Sequence, residues 1–184
     1  MEATLAQIRH VKAKVCLVGD IGVGKTSLIK RYVLDGFDDR YIATIGTKVT
    51  KKTVPCSWRG QEARMDLVIW DIMGEMGFRQ LLKESYFEGA QGVLAVCDLT
   101  RRDTLQDLYS WIDLARANAG PVPAVFLGNK ADLRSRVVVE EAELAAAAEP
   151  LGAPYLFTSA KTGLNVERAF AGLAERVARV EGPA

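Results

Sequence analysis

Residues 19–26 read Gly19-Asp20-Ile21-Gly22-Val23-Gly24-Lys25-Thr26 and match the pattern G-x-x-x-x-G-K-[ST]. An apolar run, Lys14-Val15-Cys16-Leu17-Val18-Gly19, precedes them, and a segment with helical periodicity follows near residues 25–33. Glycines in such a turn let backbone N–H groups converge on phosphate oxygens, and the helix N-terminus adds positive potential. An ordinary glycine-rich turn is the alternative, but the position between a strand and a helix favours a phosphate-binding loop. The motif predicts a nucleoside triphosphate and does not say which base.

Two more apolar runs predict buried strands, Gly92-Val93-Leu94-Ala95-Val96-Cys97-Asp98 and Ala124-Val125-Phe126-Leu127-Gly128. Both are bounded by turn residues and are too short for buried helices. Segments with helical periodicity lie between and after the strands, near residues 25–33, 76–87, 103–117, 139–149 and 164–180. Strands that alternate with helices indicate βαβ units and a parallel sheet. The predicted fold class is therefore α/β.

Residues 48–58 and 64–71 follow another pattern, a loose alternation of apolar and polar side chains on either side of the turn Arg59-Gly60-Gln61. This pattern predicts an antiparallel hairpin. No repeat, low-complexity block or linker divides the 184 residues. We expect one domain over residues 1–184, with residues 1–11 as an N-terminal extension and residues 181–184 as a short tail.

The composition is that of a globular protein, with 49% hydrophobic and 26% charged residues. A net charge of +1 gives no reason to expect nucleic acid or an anionic membrane as a partner. The three cysteines lack metal-ligand spacing, which suits a reducing compartment. No apolar run reaches the ~20 residues that span a bilayer, and no C-terminal cysteine offers a prenylation site. We expect a cytoplasmic protein without a direct membrane anchor.

Three further short motifs follow the phosphate-binding loop. Asp71-Ile72-Met73-Gly74 matches D-x-x-G, Asn129-Lys130-Ala131-Asp132 matches N-K-x-D directly after the third buried strand, and Ser159-Ala160-Lys161 matches S-A-K. With these motifs in this order, the chain resembles the Ras-like small GTPases over nearly its whole length. The resemblance implies the P-loop NTPase fold, with a mostly parallel six-stranded sheet, one antiparallel strand and helices on both faces.

The resemblance also implies how a guanine base is read. In the family, the carboxylate at the position of Asp132 accepts two hydrogen bonds from guanine N1 and N2, which adenine cannot donate, and Lys130 covers the plane of the base. The Ala160 N–H meets guanine O6, and Phe37 is where the family places an aromatic ring over the base edge. A buried acceptor left unpaired is costly, so Asp132 can impose strong selectivity. The base-binding residues are predicted to be Phe37, Asn129, Lys130, Asp132, Ser159, Ala160 and Lys161.

The phosphates and the metal ion are assigned from the same motifs. Lys25 reaches the β- and γ-phosphates, and the Thr26 hydroxyl ligates Mg²⁺. By resemblance, Asp71 holds Mg²⁺ through water, Thr44 contacts Mg²⁺ and the γ-phosphate only in the triphosphate state, and the Gly74 N–H meets the γ-phosphate. The predicted cofactors are GTP or GDP and Mg²⁺, and the metal ligands are Thr26, Thr44 and Asp71. The phosphate-binding residues are Gly22, Val23, Gly24, Lys25, Thr26 and Ser27.

Within the superfamily the sequence is most similar to the Rab branch, through residues 19–25, 44–46 and 85–92. It lacks the lipidated C-terminal cysteines of that branch, and two residues near the γ-phosphate also depart from the pattern. Ile21 carries a β-branched side chain toward the space where an activator's arginine finger would pass. Glu75 replaces the glutamine that orients the attacking water, and an ionised carboxylate there only accepts hydrogen bonds and faces an anionic phosphate.

Two functions fit these observations. The first is a small GTPase, a molecular switch that slowly hydrolyses GTP to GDP and phosphate, and whose segments at about residues 35–47 and 73–82 bind effector or regulatory proteins. Its catalytic residues would be Lys25, Thr44, Gly74 and Glu75. The alternative is a nucleotide-dependent binding module whose hydrolysis is negligible because Ile21 and Glu75 have disabled it. A P-loop kinase is disfavoured by the guanine-reading Asp132.

Overall fold

A computed structural model describes residues 8–38, 46–72 and 83–181 of the chain. The strands in these ranges are β1 (Arg9–Val18), β2 (Thr47–Trp58), β3 (Gln61–Ile72), β4 (Gly92–Asp98), β5 (Ala124–Asn129) and β6 (Tyr155–Phe157). The α-helices in the same ranges are α1 (Lys25–Leu34), α2 (Lys83–Phe87), α3 (Arg102–Gln106), α4 (Leu108–Ala119), α5 (Glu141–Ala148) and α6 (Val166–Glu181). Short 3₁₀ helices cover Arg134–Arg136 and Glu149–Leu151.

The six strands form one sheet in the order β2-β3-β1-β4-β5-β6. β2 runs antiparallel to β3, and every other neighbouring pair is parallel. The connection from β2 to β3 is a two-residue turn in which Arg59 and Gly60 have φ values of 52° and 74°, a backbone that matches the twist of a tight hairpin. The predicted α/β fold, with one antiparallel strand in a mostly parallel six-stranded sheet, is confirmed.

The sheet has an apolar layer on each face because successive side chains of a strand point to opposite sides. Val15 and Leu17 of β1 belong to the layer that contains side chains of α1 and α6, whereas Cys16 and Val18 belong to the layer that contains side chains of α2 to α5. Burial raises the pKa of the Cys16 and Cys97 thiols to about 12, so both act as small apolar side chains. Helices therefore cover both faces of the sheet.

The first strand is longer than the sequence pattern predicts. β1 begins at Arg9 rather than at Lys14, and residues 9–11 pair in parallel with residues 63–65 of β3. The prediction of an N-terminal extension over residues 1–11 is therefore wrong for residues 9–11. In the N-terminal part of β1, exposed polar residues flank Val11. The continuous apolar run that is typical of a strand covered on both faces therefore begins only at Val15.

The helix predicted over residues 103–117 is divided into α3 and α4, which meet at Asp107. Backbone hydrogen bonds continue through the junction, since the Asp107 N–H donates to the Asp103 carbonyl at 3.0 Å and the Trp111 N–H donates to the Asp107 carbonyl at 3.2 Å. The helix predicted near residues 76–87 is described only over α2, because residues 73–82 lie outside the described ranges. Within those ranges, no helix is both long enough and apolar enough to span a membrane.

Candidate functional site

The phosphate loop, residues 19–26, joins the end of β1 to the start of α1. Gly19, Gly22 and Gly24 have φ values of 135°, 76° and 104°, a backbone conformation that other residues rarely adopt. A Cβ atom on Gly19 would lie 2.1 Å from the carbonyl oxygen of Val96, and one on Gly24 would lie 2.3 Å from Nδ2 of Asn129. The first and last glycines are thus required by the close approach of β4 and β5 as well as by the turn itself.

The charged amine of Lys25 is held against this loop. Lys25 is the first residue of α1, and only 6% of it is exposed. Its Nζ donates hydrogen bonds to the carbonyl oxygens of Gly19 at 2.6 Å and Asp20 at 2.8 Å. A buried ammonium needs such acceptors, and a phosphate oxygen at the same loop would give it a charged one. The arrangement fits the predicted phosphate-binding role.

Two oxygen-bearing side chains meet at the predicted metal site. The Thr26 hydroxyl, in the first turn of α1, donates to Oδ2 of Asp71 near the end of β3 at 2.5 Å. Oδ1 of Asp71 is buried, and it has no hydrogen-bond partner among the described residues. Burial raises the pKa of Asp71 above its ordinary value, although the Thr26 hydrogen bond and the charge of Lys25 oppose that rise.

This oxygen pair fits Mg²⁺, which takes one or two protein oxygens and completes its coordination with water and substrate phosphates. Among the described residues there is no group of three or more His, Cys, Asp or Glu side chains that could hold a metal ion. A cation at Thr26 and Asp71 would therefore draw its remaining ligands from elsewhere, as Mg²⁺ does when it binds together with a nucleotide. The buried Oδ1 atom of Asp71 would then gain the partner that it lacks.

The N-K-x-D segment after β5 is fastened to the S-A-K segment after β6. Ser159 Oγ donates to Oδ1 of Asp132 at 2.6 Å and accepts a hydrogen bond from the Thr162 N–H at 3.1 Å. The backbone adds a further link, since the Ala131 N–H donates to the Thr158 carbonyl at 3.0 Å. The structure thus brings Asp132 and Ser159 together, and the serine fixes the direction of the carboxylate.

Asn129 links the N-K-x-D and S-A-K segments to the loop at residues 19–26. It is the last residue of β5, and 1% of it is exposed. Its Nδ2 donates to the carbonyl oxygen of Val23 at 2.9 Å, and its Oδ1 accepts a hydrogen bond from the Thr158 hydroxyl at 3.2 Å. One buried amide therefore connects segments from three different parts of the chain.

Several predicted site residues stand apart from this network or outside the described ranges. Thr44, Gly74 and Glu75 lie outside the described residues, so their predicted roles stay predictions. Phe37 follows α1 and is 37% exposed, and no hydrogen bond or ring contact within the described ranges joins it to the base-reading segments. Ser27 lies in the first turn of α1 beside Thr26 and is partly buried.

A comparison with protein families identifies the chain. The family model described as Ras family matches residues 14–179. The chain belongs to the Ras family. Ras-family proteins are GTPases that bind guanine nucleotide and Mg²⁺ and interact with regulators and effectors. The matched range includes the loop at residues 19–26 and the N-K-x-D and S-A-K segments.

Two residues that contact these segments were not predicted from the sequence. Arg31 of α1 donates from Nε to the Ala160 carbonyl at 2.8 Å and from Nη2 to the Lys161 carbonyl at 2.6 Å, which fixes the S-A-K segment. Asp98, the last residue of β4, accepts from Lys130 Nζ at 2.7 Å. An arginine on a helix carries no signal of such a role. Asp98 does carry one, because ligands in open α/β sheets bind beyond the carboxyl ends of the strands.

We predict that Gly24→Ala will lower the affinity for GDP at least about tenfold, because the left-handed backbone alone costs about 1–3 kcal/mol with a side chain and the new Cβ would overlap Asn129. Titration with a fluorescent GDP measures the effect. Gly172→Ala is the matched control, since no atom lies within 4 Å of its added Cβ on α6. That variant should bind GDP normally and gain about 1 kcal/mol of stability. Parental affinity in Gly24→Ala would contradict the packing argument.

Proposed function

We propose that this protein is a guanine-nucleotide switch that binds GTP or GDP with Mg²⁺ and slowly hydrolyses GTP to GDP and phosphate. The observation that carries the proposal is the hydrogen bond from Asn129 Nδ2 to the Val23 carbonyl. It joins a base-reading segment to a phosphate-binding loop inside one buried network. Ras-family membership supports the same function.

Recognition of the base rests on Asp132. Its carboxylate receives one hydrogen bond from Ser159 and has further acceptor capacity for the two N–H groups that guanine presents. Adenine lacks these donors, so it would leave the remaining acceptor capacity of a desolvated carboxylate unfilled, which costs several kcal/mol of discrimination, on the order of a 10⁴-fold preference. Phe37 would cover the base edge, Lys130 would lie along the base plane, and Ala160 would offer its N–H.

Binding and cleavage of the triphosphate rest on the phosphate loop. Lys25 and the loop amides of Gly22, Val23 and Gly24 would stabilise the negative charge of the transferring phosphoryl group. Thr26 and Asp71 would hold Mg²⁺, which would supply positive charge to neutralise the phosphates. Thr44 and the Gly74 N–H would contact the γ-phosphate, and Glu75 would contact the attacking water.

The switch itself would consist of the segments at about residues 35–47 and 73–82. In this class of protein, contacts to the γ-phosphate order two segments, and hydrolysis releases them. Effector and regulatory proteins would recognise these segments, and the chain would be one cytoplasmic small-GTPase domain of Rab-like character. We expect no nucleic-acid partner, because the net charge is only +1.

A second candidate is a nucleotide-dependent binding module with negligible hydrolysis. Ile21 supports it, because its side chain is 46% exposed at the phosphate loop, where it would obstruct the arginine of an activating protein. Thr26 and Asp71 support the hydrolytic switch instead, because both are retained and form the oxygen pair expected of a Mg²⁺ site.

The decisive experiment is to denature the purified protein and identify the released nucleotide by chromatography, followed by single-turnover hydrolysis of loaded GTP. The switch predicts guanine nucleotide and measurable release of phosphate. Guanine nucleotide without hydrolysis would support the binding module. Adenine nucleotide, or none after reloading with GTP and Mg²⁺, would contradict both.

We predict that Asp132→Asn will reduce GTP affinity about 100-fold or more and will bring a preference for xanthosine nucleotides. The substitution replaces one acceptor with a donor, which suits the exocyclic oxygen of xanthine. Competition between GTP and xanthosine triphosphate measures the change. Asp113→Asn, at an exposed position of α4, should keep the parental preference. Equal GTP affinity in Asp132→Asn and the parent would disprove this account of base reading.

We predict that Glu75→Gln and Glu75→Ala will each change single-turnover GTP hydrolysis several-fold while GTP affinity changes by less than about tenfold, or ~1.4 kcal/mol. A group that meets the attacking water acts on the transition state more than on ground-state binding. Glu62→Gln, at an exposed position of β3, is the control and should hydrolyse at the parental rate. If both Glu75 variants also do so, another group positions the water.

A further inference from the structure

Asp98 is a buried carboxylate at the carboxyl end of β4, between the two halves of the site. Only 1% of the residue is exposed. Its Oδ2 accepts from Lys130 Nζ at 2.7 Å and from Arg101 Nε at 3.2 Å. Its Oδ1 accepts from the N–H and the hydroxyl of Thr100, at 2.9 and 2.7 Å. Both oxygens are therefore satisfied, and two of the four donors are cations.

The carboxylate is anionic in this environment. Burial alone would raise the pKa of Asp98, but the hydrogen bonds from Lys130 and Thr100 outweigh it and hold the pKa below its ordinary value. A buried charge that is paired and hydrogen-bonded in this way contributes most when all its partners are present, and removing one partner is strongly unfavourable. Asp98 therefore restrains both of the cations that it binds.

The two cations lead to opposite parts of the nucleotide site. Lys130 belongs to the N-K-x-D segment and has a left-handed backbone with φ 68°. Arg101 donates from Nη2 to the carbonyl oxygen of Ile21 at 2.8 Å, and Ile21 lies in the phosphate loop. Asp98 thus connects the base-reading segment, through Lys130, to the phosphate loop, through Arg101.

We propose that Asp98 is a positioning residue for guanine nucleotide, which holds Lys130 along the base and fastens the phosphate loop through Arg101. The inference rests on the proposed function, because it concerns how the same site retains its nucleotide. A lysine side chain has four flexible bonds, and ordering them costs conformational entropy. Because Asp98 already holds the Lys130 ammonium in the free protein, most of this entropy is lost before the base binds. The aliphatic stem of Lys130 is therefore already aligned for the base.

Arg102, the next residue in the chain, offers a matched control. Its guanidinium forms an ion pair with Glu143 at 2.8 Å and donates to the Val138 carbonyl. Both of these partners are far from the phosphate loop in sequence. Replacement of Arg102 removes an ion pair and a carbonyl hydrogen bond from the same turn of chain without touching Asp98. A general loss of order at the start of α3 would affect Arg102→Met and Arg101→Met alike.

The test measures the rate at which fluorescent GDP dissociates from the full chain in the presence of Mg²⁺ and excess unlabelled GDP. Asp98→Asn, Lys130→Met and Arg101→Met should each release GDP about tenfold faster than the parent, and Arg102→Met should stay within about twofold. The double variant Asp98→Asn with Lys130→Met should release GDP about as fast as the faster single variant. Residues that act through one another give such non-additive effects, whereas independent effects would multiply to about 100-fold.

An unchanged rate in Asp98→Asn, or fully multiplicative rates in the double variant, would overturn the positioning role while leaving the proposed function intact. A parent protein that takes up no fluorescent GDP would overturn the proposed function and this inference with it. Arg101→Met keeps the inference testable if Asp98→Asn does not fold, since it severs only the connection to the phosphate loop. A parental rate in that variant would overturn the proposed link through Ile21.

Discussion

The proposed nucleotide site depends on the hydrogen bonds of the buried Asn129 side chain. Its amide nitrogen is bonded to the Val23 carbonyl in the phosphate loop, and its amide oxygen is bonded to Thr158 ahead of the S-A-K segment. The same nitrogen occupies the space that a Cβ atom on Gly24 would need. The position of Asn129 therefore requires a glycine at residue 24. Three loops at the carboxyl edge of the sheet are thereby held at a fixed separation, which is what a ligand with a base at one end and phosphates at the other needs.

Two buried carboxylates at this edge differ in how their charge is compensated. Asp98 is bonded to two cations, and its pKa lies below the ordinary value. Asp71 is bonded to a neutral hydroxyl, one of its oxygens has no hydrogen-bond partner among the described residues, and burial raises its pKa. Within the described part of the chain, both oxygens of Asp98 are thus satisfied by other residues, whereas one oxygen of Asp71 is not. A divalent cation at Asp71 would supply the missing partner, which is the physical reason to place Mg²⁺ there rather than beside Asp98.

Local patterns predicted the parts of this structure that local physics determines. The apolar runs identified β4 and β5, and the glycine spacing identified the phosphate loop between β1 and α1. The exposed half of β1 was missed because polar residues flank Val11 there. The role of Arg31 depends on a distant partner, since it bonds to a carbonyl 129 residues away, and no pattern in one sequence encodes such a pair. Asp98 carries a signal in its position at the end of β4, but its bond to Lys130 joins two strand ends that only the fold brings together.

The two lysines of the site differ in the acceptors that they would leave when nucleotide binds. Lys25 is bonded to two neutral carbonyl oxygens of the phosphate loop, whereas Lys130 is bonded to the carboxylate of Asp98. Hydrogen bonds between two ionised groups are roughly twice as strong as those between neutral groups. A phosphate oxygen would therefore be a stronger acceptor for Lys25 than either of these carbonyl oxygens. Under the proposed function, a guanine base would offer Lys130 no comparable acceptor, so its ammonium would stay on Asp98 and its aliphatic stem would lie along the base. The same residue type would thus act through its charge at one end of the proposed site and through its shape at the other.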